Sequence, residues 1–99
     1  MSEQESTRKP LAVALQYDGH SAPRVTAKGR DQLAEQILAL AREHRIPLQE
    51  NAELARLLAQ VDLGEEIPEA LYLAVAQVIA FAYYLSGKAP PVPDAEVVE

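Results

Sequence analysis

Leu11-Ala-Val-Ala-Leu-Gln-Tyr17 is an almost continuously apolar run that stops at Asp18-Gly19. A strand with one wet face alternates apolar and polar residues, whereas a strand covered on both faces reads as a short unbroken apolar run. The stretch therefore predicts a central strand, ended by a turn, in a layered α/β structure. Beyond the turn segment Gly19-His-Ser-Ala-Pro23 lies Arg24-Val-Thr-Ala27, with two β-branched residues, bounded by Lys28-Gly29; it predicts a second, shorter strand.

From Arg30 the period changes. Leu33, Ile37, Leu40, Ala41 and His44 recur at helical spacing, with Asp31 and Glu35 early and Arg42, His44 and Arg45 late, as the helix dipole favours. Ile46-Pro-Leu-Gln-Glu50 is too short for a helix, and a strand there would keep Pro47 at its start or on an unpaired side. Asn51 is a good N-cap for a second helix with an apolar stripe of Leu54, Leu57, Leu58 and Val61, ending near Asp62-Leu-Gly64. Pro68 fits the first turn of a third helix and Gly87 its C′ position. The expected order is β-β-α-β-α-α, a small α/β unit of about three strands packed with three helices. Residues 1–9 and the Pro-rich, acidic 89–99 lack a hydrophobic period and are expected to be flexible ends around a domain at 10–88.

At 99 residues the chain holds one small core. Its net charge of −6 argues against a nucleic-acid binder, which needs clustered cations. The absence of cysteine removes disulfides, thiolate ligands and cysteine nucleophiles, and two histidines far apart disfavour a zinc site, so no metal or cofactor is expected. His20 and His44 receive no role. No secretory h-region follows the N-terminus, and Ala70 to Leu85 is too short and too interrupted to span a bilayer, so a cytoplasmic location without membrane insertion is expected. With no phosphate loop, nucleophile elbow or His-Glu helix motif, no catalytic residues are assigned and an enzyme is not expected. Glu65-Glu66, just before Pro68, is expected to favour the helix N-terminus. Phe81, Tyr83, Tyr84 and Leu85 crowd one end of the last helix, so some aromatic surface there is expected to be exposed.

Ala12-Val-Ala-Leu-Gln-Tyr-Asp18, Ala22-Pro-Arg-Val-Thr-Ala-Lys-Gly29, Ala41-Arg-Glu-His44, Glu50-Asn51, Leu54-Ala-Arg56, Gly64-Glu-Glu-Ile-Pro68, Leu71-Tyr72 and Ala74-Val-Ala76 occur in order with short gaps. Together they resemble the cytoplasmic C-terminal domain of the FlhB/YscU export-switch proteins of flagellar and injectisome type III secretion. The resemblance implies an α/β unit that helps select which substrates are exported. Members cleave themselves at Asn-Pro-Thr-His; here the corresponding positions read Thr7-Arg-Lys-Pro10, without the asparagine that would cyclise, and no self-cleavage is expected. The family's first strand has no counterpart in residues 1–9, so the chain looks like a stand-alone, truncated paralogue.

If that strand normally flanks Leu11 to Tyr17, an apolar edge carrying Leu11, Val13, Leu15 and Tyr17 is left to dock a strand from a full-length or truncated switch protein. The alternative is an edge covered by the chain's own tails or by self-association. The resemblance also implies an apolar patch for a short motif of early export substrates, at Ala22, Pro23, Ala76 and Ile79; burial as ordinary core is the alternative for the last two. The expected function is a non-enzymatic binding module that recognises export substrates or docks on the export gate, with peripheral membrane association through that gate. A regulator or decoy that sequesters a substrate, chaperone or export component is the alternative.

Overall fold

The computed structural model describes residues 10–86 and 94–98. Along them run β1 (Leu11–Gln16), β2 (Arg24–Arg30), α1 (Asp31–Glu43), β3 (Leu48–Glu50), α2 (Ala52–Leu58), a one-turn 3-10 helix (Glu69–Leu71), α3 (Tyr72–Ser86) and β4 (Asp94–Val98). The strands form a four-stranded sheet in the order β2-β1-β4-β3. β1 is antiparallel to both β2 and β4, whereas β3 and β4 run parallel.

Alternation along β1 sends its side chains to two different layers. Leu11, Val13 and Leu15 join Val25, Ala95 and Val97 against α2 and α3 in the main core, which also holds Leu54, Leu58, Val75, Val78 and Ile79. Ala12 faces the other way and packs with Ala34 and Ile37 of α1, beside Ala27, Leu38 and Val98. Both faces of β1 are therefore covered, which is why its sequence shows no polar alternation.

Two expectations are corrected in the sheet. There are four strands rather than about three, because Asp94–Val98, expected in a flexible tail, forms β4 and buries Ala95 and Val97. β2 reaches Arg30 rather than Ala27, because pairing continues to Leu11 opposite Arg30. The chain then enters α1 without a loop: Asp31, in the left-handed region at φ 55°, turns it, and its amide donates to the Pro10 carbonyl at 3.0 Å. Gly87 and the expected flexible segment 1–9 lie outside the described residues, as do residues 89–93 and 99 of the tail.

The helices keep their expected places but not all their expected faces. α1 buries Ala34, Ile37 and Ala41, while Leu33 and Leu40 are exposed. Alanines at Ala12, Ala27 and Ala34 let helix and sheet approach closely, and Leu33 instead lies over Gly29, where a Cβ would fall inside its side chain. α2 buries Leu54, Ala55 and Leu58 but leaves Leu57 exposed. Its N-cap is Asn51, whose side-chain oxygen accepts from the Leu54 amide at 3.0 Å. β3 begins immediately after Pro47, and Pro68 precedes the 3-10 turn that leads into α3.

Candidate functional site

The turn between β1 and β2 is built by Asp18 and Gly19. Gly19 adopts φ 89°, a region that costs an L side chain strain, and Asp18 Oδ1 accepts from the His20 amide at 2.8 Å and the Ser21 amide at 3.0 Å. Those two donors hold the Asp18 carboxyl below its ordinary pKa. The turn presents Ala22 and Pro23, partly buried, toward α3.

A second segment is locked against β2. The Pro23 carbonyl accepts from the Ile67 amide at 2.9 Å, the Val25 amide donates to the Glu65 carbonyl at 3.1 Å, and the Gly64 amide donates to the Val25 carbonyl at 2.7 Å. Arg24 spans the junction, donating through Nη1 to the Gly64 carbonyl at 2.9 Å and through Nη2 to Glu66 Oε2 at 3.2 Å. Residues 64–67 thus line the otherwise free edge of β2 and seat Ile67 in the core. The expectation that Glu65-Glu66 serves the helix N-terminus is corrected: the Glu66 carboxylate pairs with Arg24, and Glu69 is the acid of the 3-10 turn.

Between these parts and α3 lies a groove of about 570 Å³, a size typical of ligand sites. Its far wall is one helical face, Tyr72, Ala76, Ile79, Ala80 and Tyr83, and its near wall is Tyr17, His20, Ser21, Ala22 and Pro23, with Ile67 at the junction. The lining is mostly apolar. Ala22, Pro23, Ala76 and Ile79 are brought together here although more than fifty residues separate the pairs in the chain; Ile79 is almost fully buried, while Ala76 is open to solvent. Tyr17, Ile67, Tyr72, Ala80 and Tyr83 are wall residues that sequence reasoning did not assign to this patch. The recurrence of apolar residues at 72, 76, 79, 80 and 83 was the available signal for the helical wall.

Leu11, Val13 and Leu15, expected on an open docking edge, are buried inside the sheet with β2 on one side and β4 on the other. Tyr17 lies just beyond β1 and lines the groove. That expectation is corrected for the described fold, and the alternative of an edge covered by the chain's own tail is the one observed. Phe81, Tyr84 and Leu85 are exposed, and Tyr83 is half-buried. Among the described residues no cluster of three or more metal-ligating side chains occurs, and no helix is long and apolar enough to cross a membrane.

Residues 9–82 match the family model of the FlhB HrpN YscU SpaS Family. The chain is similar to the flagellar biosynthetic protein FlhB of Salmonella typhimurium, at 42% identity over 92 residues covering 84% of this chain and 24% of that protein. It is also similar to the uncharacterized protein YlqH of Bacillus subtilis, at 41% identity over 87 residues covering 86% of this chain and 91% of that one. Among solved structures, the cytoplasmic domain of FlhB from Shewanella putrefaciens matches with a TM-score of 0.72 at 39% identity, covering 84% of this chain and 75% of that one. A mutated EscU C-terminal domain matches at 0.70 and 36% identity, covering 73% and 90%. The chain spans about a quarter of the length of the FlhB relative and nearly all of YlqH.

Proposed function

Because this chain belongs to the FlhB HrpN YscU SpaS family, we propose that it is a non-enzymatic binding module of flagellar or type III protein export whose groove receives a short apolar segment of an export substrate. The observation that carries this reading is the meeting of Ala22 and Pro23 with Ala76 and Ile79 across one groove. Small side chains on both walls leave room for a partner's large ones, and Tyr17, Tyr72 and Tyr83 supply amphipathic contact area at low entropic cost.

Burying one large apolar side chain contributes about 1.5–3 kcal/mol, so two such anchors, after ordering costs, correspond to weak and rapidly reversible binding. That suits a module that inspects many substrates in turn. Thr7-Arg-Lys-Pro10, in place of Asn-Pro-Thr-His, supports a module that is not self-cleaved, which intact-mass measurement of the purified chain checks.

The deciding experiment is an amide NMR titration of the labelled chain with the N-terminal segment of a hook- or rod-type export substrate. Saturable shifts centred on Ala22, Ala76 and Ile79 are expected. A spectrum unchanged at saturating substrate overturns the proposal.

A further inference from the structure

The groove is apolar, but the chain that frames it is not. Its far wall is carried by α3, whose fifteen residues include no charged side chain, so a partner's charges find no match there. The charges lie on the other parts of the frame. Asp18, in the turn, accepts from the amides of His20 and Ser21, two lining residues, and those donors favour its ionised form while leaving it exposed. Glu65 and Glu66 precede Ile67 at the junction, and Glu69 stands between Ile67 and Tyr72, next to the start of the helical wall; all three are exposed. Against these four acids, residues 17–24 and 64–86 contain one arginine and no lysine. That arginine, Arg24, is engaged by Glu66 and the Gly64 carbonyl. With His20 counted neutral, the frame keeps an excess of three negative charges.

On the reading of this groove as the receptor of an apolar export segment, we infer that it selects among such segments by charge: the segment it takes carries lysine or arginine beside its apolar anchors, and one flanked by acids is disfavoured. The anchors enter between Ala22 and Pro23 on one wall and Ala76 and Ile79 on the other, while the flanking cations are matched by Asp18 on the turn and Glu69 beside Tyr72. Because these carboxylates are exposed, each pairing is modest and is screened by salt. Like charges at the same places are unfavourable, so the contrast between a basic and an acidic flank exceeds either effect alone. Apolar contact then supplies the affinity, and charge supplies choice and approach. The net charge of −6 steers encounter in the same direction.

The test uses two versions of the hook- or rod-type substrate segment, identical in their apolar core and flanked on both sides by Lys-Lys in one and by Glu-Glu in the other. Each is titrated into the labelled full chain at about 20 mM and about 500 mM salt, on either side of the range where exposed charges are screened. At low salt the lysine version should bind about tenfold more tightly, and at high salt the two should agree within about twofold. Asp18→Asn, which retains the acceptor oxygen of the turn, combined with Glu69→Gln should reduce the low-salt preference to about threefold or less. Equal binding of the two versions at low salt, or a preference that the double variant leaves intact, overturns charge selection while the groove stands as a receptor. Failure of both versions to bind overturns the reading of the groove itself, and the selection with it.

Discussion

The backbone amide of Asn51 donates to the Val98 carbonyl at 2.8 Å while its side-chain oxygen accepts from Leu54 at 3.0 Å, so one residue ties the last strand to the start of α2. The joint matters because β3 is only three residues long and Asn51 follows it directly. Asn51→Ala removes the cap and should cost about 1 kcal/mol, whereas Asn51→Asp should retain most of it. Urea unfolding midpoints at constant slope give the comparison.

α1 ends in a left-handed C′ residue that is not glycine. Arg45 has φ 58°, its amide donates to the Arg42 carbonyl at 3.2 Å, and the Ile46 amide donates to the Ala41 carbonyl at 2.8 Å, the paired bonds of a Schellman ending. Arg45→Gly should relieve the backbone strain and stabilise by about 0.5–1 kcal/mol, net of glycine's greater unfolded freedom. Arg45→Val, β-branched at the same φ, should do the reverse; thermal melts of the two variants test the sign.

Lys28 on β2 reaches the far end of α2. Its Nζ donates to the Ala59 carbonyl at 2.9 Å and the Val61 carbonyl at 2.7 Å, so a half-buried cation satisfies two carbonyls of the segment just past the end of α2. Lys28→Met keeps much of the stem but leaves those acceptors without this donor, and should cost about 1–3 kcal/mol. For a domain of this size that is a fall of about 4–8 °C in Tm per kcal/mol.

Ala76 offers a change in the groove that spares the fold. It is exposed, while the adjacent Val75 is fully buried in the core. Ala76→Glu should leave the melting curve within about 0.5 kcal/mol of native. It should weaken substrate binding by at least about tenfold, because an apolar anchor would then have to desolvate a carboxylate. Parallel melts and NMR titrations separate the two effects.

The turn that carries Ala22 and Pro23 should respond to acid. The Asp18 pKa is lowered in the fold by the His20 and Ser21 amides, so its contribution is present above the unfolded-state pKa and is lost as pH falls through the lower folded value. The His20 and Ser21 amide resonances should therefore titrate together below the ordinary aspartate range, and Asp18→Ala should abolish that transition. Unchanged amides down to unfolding would contradict it.

Much of this architecture is local chemistry and is legible in the amino-acid sequence alone. The unbroken apolar run at Leu11–Tyr17 marks a strand covered on both faces, the oxygen of Asn51 marks a helix start, and Pro47 marks where β3 begins. The face of α1 is not legible: leucines at Leu33 and Leu40 carry the stronger hydrophobic signal, yet Ala34 and Ala41 are buried. Which stripe turns inward depends on the sheet beneath, where Ala12 and Ala27 reward close approach. The groove is half legible, since the helical period marks its α3 wall but says nothing of the turn that meets it.

β4 divides most sharply what each level determined. Asp94-Ala-Glu-Val-Val98 is five residues behind a proline-rich segment, too short to outweigh the acidic, turn-forming composition around it. Its strand state rests on hydrogen bonds to β1, some eighty residues earlier, and to β3, forty-eight earlier, and on burial of Ala95 and Val97 in a core those elements create. The sequence by itself determined where β1, β2, β3, α1 and α2 begin, because caps, prolines and hydrophobic periods act over a few residues. Only the tertiary structure decided that β1 has no free edge, because a sheet edge is a relation between distant segments and no local pattern records who fills it.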